Sequence, residues 1–141
     1  MLRINRNVSA GVDASPSRCL EVLADVEGWP VWARLIADTE VLERGEDGRP
    51  SAARLRVDVG LKVVMDCVLE FGADRAVLRR VPYDTDDDEL YEADWTLGDG
   101  RVDLQVTAAL DAPGPAGVLR GRVSKRLADD LLADFVAAVE R

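Results

Sequence analysis

The chain has 141 residues, of which 48% are hydrophobic and 32% are charged. That length fits one domain, residues 1–141, whose core is large enough to fold without disulfides or metal. The 18 Lys and Arg against 27 Asp and Glu give a net charge of −9, which argues against binding to nucleic acid or to an anionic membrane. Because the chain contains no histidine, Ser-His-Asp catalysis, Cys-His catalysis and histidine-ligated zinc are excluded.

Cysteines and targeting signals add further expectations. Cys19 and Cys67 are too few and too far apart for a zinc site or a disulfide framework, so we expect both thiols to be free and buried. The N-terminus has no apolar signal core, and no stretch approaches the roughly 20 apolar residues of a membrane span. The sequence therefore predicts a cytoplasmic protein with no membrane span, no bound metal and no cofactor.

The first 36 residues predict a strand and two short helices. Residues 3–12 alternate in polarity, which is typical of a strand. Ser15 is the expected N-cap of the first helix, Pro16 its first residue and Gly28 its end. Residues 30–36 predict the second helix.

From Asp38 to Leu110 the pattern changes to alternation with a period of two, bounded by glycine-containing turns. Six strands are predicted, over residues 39–44, 52–59, 62–71, 76–81, 91–97 and 102–110. Strands so closely spaced imply an antiparallel meander with one dry face and one wet face.

The last segment predicts a long helix. Residues 111–115 break the sheet, and residues 116–140 form a helix about 37 Å long. Its apolar stripe comprises Leu119, Val123, Leu127, Leu131, Phe135 and Ala138. Because this stripe has only the sheet to pack against, the predicted architecture is α+β, with a curved sheet gripping the C-terminal helix.

Three motifs carry a resemblance to a known family. They are Asp25-Val26-Glu27-Gly28-Trp29-Pro30-Val31-Trp32 followed by Val41-Leu42-Glu43, the stretch from Tyr91 to Gly100, and Pro113 to Gly121. With these motifs the chain resembles the START-like (SRPBCC, helix-grip) superfamily of polyketide cyclases, aromatases and lipid-transport proteins. The resemblance covers essentially the whole chain. It implies a seven-stranded curved antiparallel sheet wrapped around a long C-terminal helix, with two short helices between strands 1 and 2.

The resemblance also implies a cavity between the long helix and the sheet, suited to a small hydrophobic ligand. Each candidate residue could instead simply fill the core. The candidate ligand-binding residues are Trp29, Trp32, Val57, Val59, Met65, Cys67, Leu69, Tyr91, Ala93, Trp95, Leu127, Leu131 and Phe135.

Two polar residues are candidates for catalysis within such a cavity. Arg79 and Arg80 are adjacent on a predicted strand, so one faces the cavity and the other faces away. If Val77 faces the core, Arg79 accompanies it and can bind a ligand oxygen; the alternative is a salt bridge at the sheet edge. Tyr91 offers a hydroxyl to a ligand carbonyl, or is simply packed. The sequence does not decide between these alternatives.

The sequence also contains one strongly acidic segment and one basic segment. Asp84 to Glu89 form an acidic run, which favours a solvated, mobile loop and lacks the spacing of a calcium loop. Arg120, Arg122, Lys125 and Arg126 place positive charge at the start of the long helix, where the helix dipole disfavours it.

Three functions follow from these features. The first is binding or transport of a small hydrophobic ligand, such as a polyketide, a quinone or a lipid. The second is a polyketide aromatase or cyclase assisted by Arg79 and Tyr91. The third is a toxin-type protein that contacts a ribosome or protein partner through residues 120–126. The scaffold hosts all three, so the sequence leaves open whether the protein is an enzyme and whether it forms a homodimer.

Overall fold

A computed structural model describes residues 1–111 and 116–141, with side chains described for all of these except residues 116–118. The predicted break at residues 111–115 and the motif from Pro113 to Gly121 lie partly outside this range. The strands are β1 (Leu2–Gly11), β2 (Ile36–Arg44), β3 (Pro50–Asp58), β4 (Lys62–Phe71), β5 (Arg75–Arg80), β6 (Leu90–Gly98) and β7 (Arg101–Leu110). The helices are α1 (Pro16–Ala24), α2 (Trp29–Trp32), α3 (Ala116–Ser124) and α4 (Leu131–Val139).

All seven strands form one sheet, in the order β1-β7-β6-β5-β4-β3-β2. Every neighbouring pair is antiparallel, and β1 pairs with β7 along its whole length, from Leu2 opposite Leu110 to Gly11 opposite Arg101. The tight turn between β6 and β7 has Gly100 at a φ of 74°, a conformation that other residues rarely adopt. The α+β helix-grip fold predicted from the sequence is confirmed.

The segment from α1 to β2 is fixed by side-chain bonds to the backbone. The Ser15 hydroxyl caps α1 by accepting a hydrogen bond from the Arg18 amide at 3.2 Å. The buried Trp29 indole donates to the Leu23 carbonyl at 3.2 Å, and the Thr39 hydroxyl donates to the Val26 carbonyl at 3.0 Å. These bonds hold the short helices against one end of the sheet.

The second predicted helix is too long. It ends at Trp32 because Ala33 is extended, with a φ of −95° and a ψ of 106°. The Leu35 carbonyl then accepts from the Asp58 amide at 2.8 Å, and Ile36 begins β2. Residues 33–35 therefore form a turn that leads into β2 rather than continue the helix.

The long C-terminal helix is interrupted by a π-helical segment, Lys125–Asp130, between α3 and α4. Two bonds of 2.7 Å join the Arg6 guanidinium on β1 to the Asp129 carboxylate in this segment. Arg34 donates from Nε to Asp134 at 3.0 Å, which ties α4 to the linker between α2 and β2. These two ion pairs hold the middle of the C-terminal helical segment against β1 and against the linker.

The two faces of the sheet differ in chemistry. On the concave face, the Phe135 ring of α4 packs 4.8 Å from Trp95 and 5.6 Å from Trp32, measured between ring centroids. On the convex face, cross-strand ion pairs join Arg54 to Asp66 and Arg75 to Asp94. Cys19 and Cys67 are free and buried, as predicted. No helix in the described part of the chain is long and apolar enough to cross a membrane.

Candidate ligand-binding site

A small apolar cavity lies between the concave face of the sheet and the C-terminal helix. It measures about 30 Å³ as the volume open to the centre of a water-sized sphere, which is room for one or two water molecules. Its wall carries four side-chain groups able to donate hydrogen bonds, the indoles of Trp29, Trp32 and Trp95 and the hydroxyl of Tyr91. The wall comprises Leu23, Trp29, Trp32, Leu35, Ile36, Leu55, Val57, Met65, Leu78, Tyr91, Ala93, Trp95, Leu127 and Leu131.

Most of the residues predicted to bind ligand lie on this wall. The structure places there Trp29, Trp32, Val57, Met65, Tyr91, Ala93, Trp95, Leu127 and Leu131. Val59, Cys67, Leu69 and Phe135 are buried but do not line the cavity. Phe135 lies behind Trp32 and Trp95, and Leu69 borders a separate void of about 10 Å³. These four residues support the wall rather than form it.

Five wall residues were not predicted: Leu23, Leu35, Ile36, Leu55 and Leu78. For two of them, Leu55 and Leu78, strand alternation or strand pairing indicates an inward orientation. Leu55 alternates with Val57 along β3, and Leu78 pairs directly with Ala93 of β6 and with Leu69 of β4. Leu35 and Ile36 were expected on the inner side of the second helix, but were not among the predicted ligand-binding residues.

The hydroxyl of Tyr91 is the distinctive polar group of the wall. Tyr91 is only 6% exposed, and its hydroxyl has no hydrogen bond to a described residue. No buried side-chain nitrogen or oxygen of the described residues lacks a partner, so this hydroxyl borders the open space of the cavity. Burial raises the pKa of this phenol, and the neighbouring Cys67 thiol raises it further. The group therefore keeps its proton and acts as a hydrogen-bond donor, not as a base.

Arg79, the other catalytic candidate, faces away from the cavity. Its guanidinium lies 3.6 Å from the Glu70 carboxylate and 3.5 Å from the Glu92 carboxylate on the convex face. Val77 is buried although it shares the convex side with Arg79, so its burial does not turn Arg79 towards the cavity. Leu78 is the residue of β5 that reaches the cavity. Of the two alternatives for Arg79, the structure shows the salt bridge, and the hypothesis that Arg79 contacts a ligand in the cavity is wrong.

Arg80 lies on the inner side of β5 but is held by an ion pair. Its side chain is 4% exposed and donates to the Asp87 carboxylate at 2.7 Å and to the Glu89 carbonyl at 2.8 Å. It also lies 5.1 Å from the Tyr83 ring centroid. The hydrogen bond from Arg80 lowers the pKa of Asp87 to about 2. Arg80 does not line the cavity, and its guanidinium instead stabilises the loop that follows β5.

The acidic run after β5 is mostly exposed, as predicted, and is held by local hydrogen bonds. Asp87 also accepts from the amides of Tyr83 at 2.9 Å and Glu89 at 3.1 Å, and Asp84 accepts from the Asp86 amide at 2.9 Å. These bonds fold the segment into a turn. Over residues 1–111 and 116–141, no group of three or more acidic or cysteine side chains could hold a metal ion.

A second, charged depression adjoins the cavity and is called the vestibule below. Its lining residues are Arg34, Leu35, Asp58, Arg126 and Asp130, and its volume is about 360 Å³. Leu35 lines both the vestibule and the apolar cavity. The vestibule therefore lies directly outside the cavity wall.

The four basic residues at the start of the long helix have different surroundings. Lys125 pairs with Asp130 at 2.8 Å. Arg120, Arg122 and Arg126 are exposed, and none has a carboxylate within 4 Å among the residues described. Of the four predicted patch residues, only Arg126 lines the vestibule.

Comparison with known proteins agrees with the architecture. A search of the curated proteins gives no match. The chain is similar to the solved structure of a START superfamily protein from Mycobacterium smegmatis, with 24% identity, a TM-score of 0.72 and coverage of 98% of this chain and 97% of that chain. It is also similar to an aromatase/cyclase from Streptomyces sp. R1128, with 22% identity, a TM-score of 0.63 and coverage of 97% and 89%.

A third similar structure is a STAR-related lipid transfer protein from Xanthomonas axonopodis, with 13% identity, a TM-score of 0.66 and coverage of 97% of this chain and 86% of that chain. These similarities concern the fold. The sequence itself matches the family described as "Polyketide cyclase / dehydrase and lipid transport" over residues 12–136. The chain belongs to this polyketide cyclase/dehydrase and lipid transport family, within the START-like fold.

Proposed function

We propose that residues 1–141 act as a single ligand-binding domain whose cavity takes up a small hydrophobic molecule bearing a hydrogen-bond acceptor. The observation that carries this proposal is the Tyr91 hydroxyl, which lies on the largely apolar wall of the cavity and has no hydrogen bond to a described residue. It is not sealed in the core, since no buried side-chain nitrogen or oxygen of the described residues lacks a partner. A ligand carbonyl or hydroxyl oxygen can therefore accept a hydrogen bond from it, and the tryptophans supply apolar contact around it.

The size of the cavity determines how such a ligand enters. Pockets for small molecules measure about 300–1,000 Å³. The space present, about 30 Å³, is far smaller, so binding requires the wall to open. Leu35 is the natural place for opening because it separates the cavity from the vestibule. We therefore propose that ligand binding is accompanied by displacement of the Leu35 side chain and its neighbours.

The test compares two ligands of similar shape, 2-acetylnaphthalene and 2-ethylnaphthalene, by isothermal titration calorimetry. The acetyl compound carries the carbonyl oxygen that Tyr91 can reach. A single hydrogen bond contributes about 0.5–1.5 kcal/mol, so we expect up to about tenfold tighter binding of the ketone. Tyr91→Phe should abolish this preference while both compounds still bind.

Tyr83→Phe is the matched control. Tyr83 is 61% exposed and its hydroxyl donates to the Val64 carbonyl at 3.1 Å, outside the cavity. This substitution should leave the affinity of both ligands unchanged. Failure of both compounds to bind the wild-type protein would contradict the proposal, as would a preference for the ketone that survives Tyr91→Phe.

Aromatase or cyclase activity is the second candidate. It is favoured by one observation, a phenol that keeps its proton and lies where it can donate to a substrate carbonyl. Since Arg79 is on the convex face, cyclisation would depend on the shape of the cavity and on Tyr91 alone. The measurement is the rate at which a poly-β-ketone is cyclised above its spontaneous rate. A lower kcat in Tyr91→Phe supports this candidate, and reversible binding without turnover excludes it.

A further inference from the structure

We infer that the ligand is amphipathic and that its anionic end is bound in the vestibule by Arg126, while its apolar part occupies the cavity. This inference rests on the proposed function. The π-helical segment contributes to both spaces, because Leu127 lines the cavity whereas Arg126 and Asp130 line the vestibule. A ligand that passes Leu35 therefore moves directly from apolar wall to charged surface.

The arginines of the vestibule have unused hydrogen-bond donors, whereas both of its aspartates already accept a hydrogen bond. Both acids already hold donors: Asp58 accepts from the Gly60 amide at 3.0 Å, and Asp130 accepts from Lys125 at 2.8 Å. Arg34 uses only its Nε side-chain donor, towards Asp134, so its two terminal nitrogens have no acceptor among the described residues.

Arg126 has more donors to spare than any other group in the vestibule. It is exposed and has no carboxylate within 4 Å in the described chain. A guanidinium binds a carboxylate or a phosphate through two parallel hydrogen bonds. The free donors thus favour an anion at this position, whereas an ammonium group placed there would be repelled by the positive charge of Arg126.

The charges of the vestibule set the size of the expected effect. Two arginines and two aspartates balance formally, and the chain carries a net charge of −9. Long-range attraction of an anion is therefore absent, and the gain comes from local contact with Arg126. Such a contact in a solvent-exposed depression corresponds to a moderate preference, on the order of tenfold in affinity.

The test uses three ligands with the same naphthalene body and the same three-carbon tether: 4-(2-naphthyl)butanoate and the corresponding alcohol and ammonium compounds. We expect the butanoate to bind about tenfold more tightly than the alcohol, and the ammonium compound to bind no more tightly than the alcohol. Arg126→Gln should reduce butanoate binding to the level of the alcohol without changing the affinity for the alcohol.

Arg122→Gln is the matched control, since Arg122 is exposed on the same helix and does not line the vestibule. A second variant, Asp58→Asn, removes a negative charge and should strengthen butanoate binding. Equal affinities for butanoate and alcohol, or an undiminished preference in Arg126→Gln, would overturn this inference while leaving the proposed function intact. If neither these compounds nor 2-acetylnaphthalene binds the wild-type protein, the proposed function itself fails.

Discussion

Replacement of Phe135 by alanine should destabilise the protein and enlarge the cavity at the same time. Phe135 is fully buried, and its ring lies 4.8 Å from Trp95 and 5.6 Å from Trp32 between centroids. A buried Phe→Ala change costs about 3–5 kcal/mol. Because two aromatic contacts are lost as well, each about 0.5–1.5 kcal/mol in other proteins, the upper part of that range, about 4–5 kcal/mol, is expected here.

Urea unfolding followed by tryptophan fluorescence measures this loss. Phe71→Ala is the matched control, because Phe71 is the other phenylalanine of the chain and is partly exposed beneath Arg49. Its replacement should cost clearly less than that of Phe135.

The space left by Phe135 adjoins the cavity, since both tryptophans that contact the ring also line the cavity wall. A small apolar ligand such as benzene should therefore stabilise Phe135→Ala more than it stabilises the wild type. At a ligand concentration of 100 Kd, binding to the folded state alone contributes about 2.7 kcal/mol. A loss below about 1.5 kcal/mol, or the absence of any recovery with benzene, would refute the packing and the continuity described above.

Three other positions give independent tests. Burial raises the pKa of Cys67 to about 12, so this thiol should resist a disulfide reagent at pH 8 in the folded protein and react at once in denaturant; rapid reaction of the folded protein would contradict its burial. The hydrogen bond from Arg80 holds the pKa of Asp87 at about 2, so the stability it provides is present above pH 4 and is lost as the pH falls towards 2. Asp87→Asn should remove this part of the acid dependence measured by urea unfolding, and an unchanged profile would count against the pair. Gly60 has a φ of 92°, so Gly60→Ala should cost about 1–2 kcal/mol, whereas Gly121→Ala on the exposed helix should stabilise by about 0.5–1 kcal/mol; equal effects would contradict the strain argument.

The strands were predictable because alternation with a period of two is a direct consequence of one buried face and one solvated face. The end of the second helix at Trp32 was not, since Trp32, Leu35 and Ile36 fit the spacing of a helix and the local pattern does not mark the turn at residues 33–35. The bond between the Leu35 carbonyl and the Asp58 amide decides the matter, and it joins residues that are far apart in the sequence. Long-range pairing of this kind cannot be read from a local pattern.

The π-helical segment had a signal in the sequence that the helix prediction did not use. Val123, Leu127, Leu131 and Phe135 follow one another in steps of four residues. On a continuous α-helix each step overshoots one turn by about 40°, so Val123 and Phe135 would point about 120° apart. Both are nonetheless fully buried. The wider turns of Lys125–Asp130 reduce this drift and keep the stripe against the sheet.

The polar groups of the site show the limit of sequence analysis most clearly. Strand alternation predicted that Tyr91 accompanies Ala93 and Trp95 on the inner face, and it does. For Arg79 and Arg80, alternation left both orientations open, and the outcome depends on partners such as Glu92 and Asp87. Whether a buried hydroxyl has a partner is a property of the assembled cavity and has no counterpart in the sequence pattern.

The composition of the cavity wall also determines how a bound molecule could be released. Of its fourteen described residues, only Tyr91 carries an ionisable hydroxyl, and burial raises the pKa of that group above its ordinary value of 10. The chain has no histidine to supply a charge change near neutrality. The charge of the wall is therefore the same at pH 5 and at pH 8. Acidification would therefore leave the contacts made by the wall itself unchanged. Exchange of a bound molecule would follow the opening of the wall, competition from a second ligand or protonation of the ligand's own anionic end.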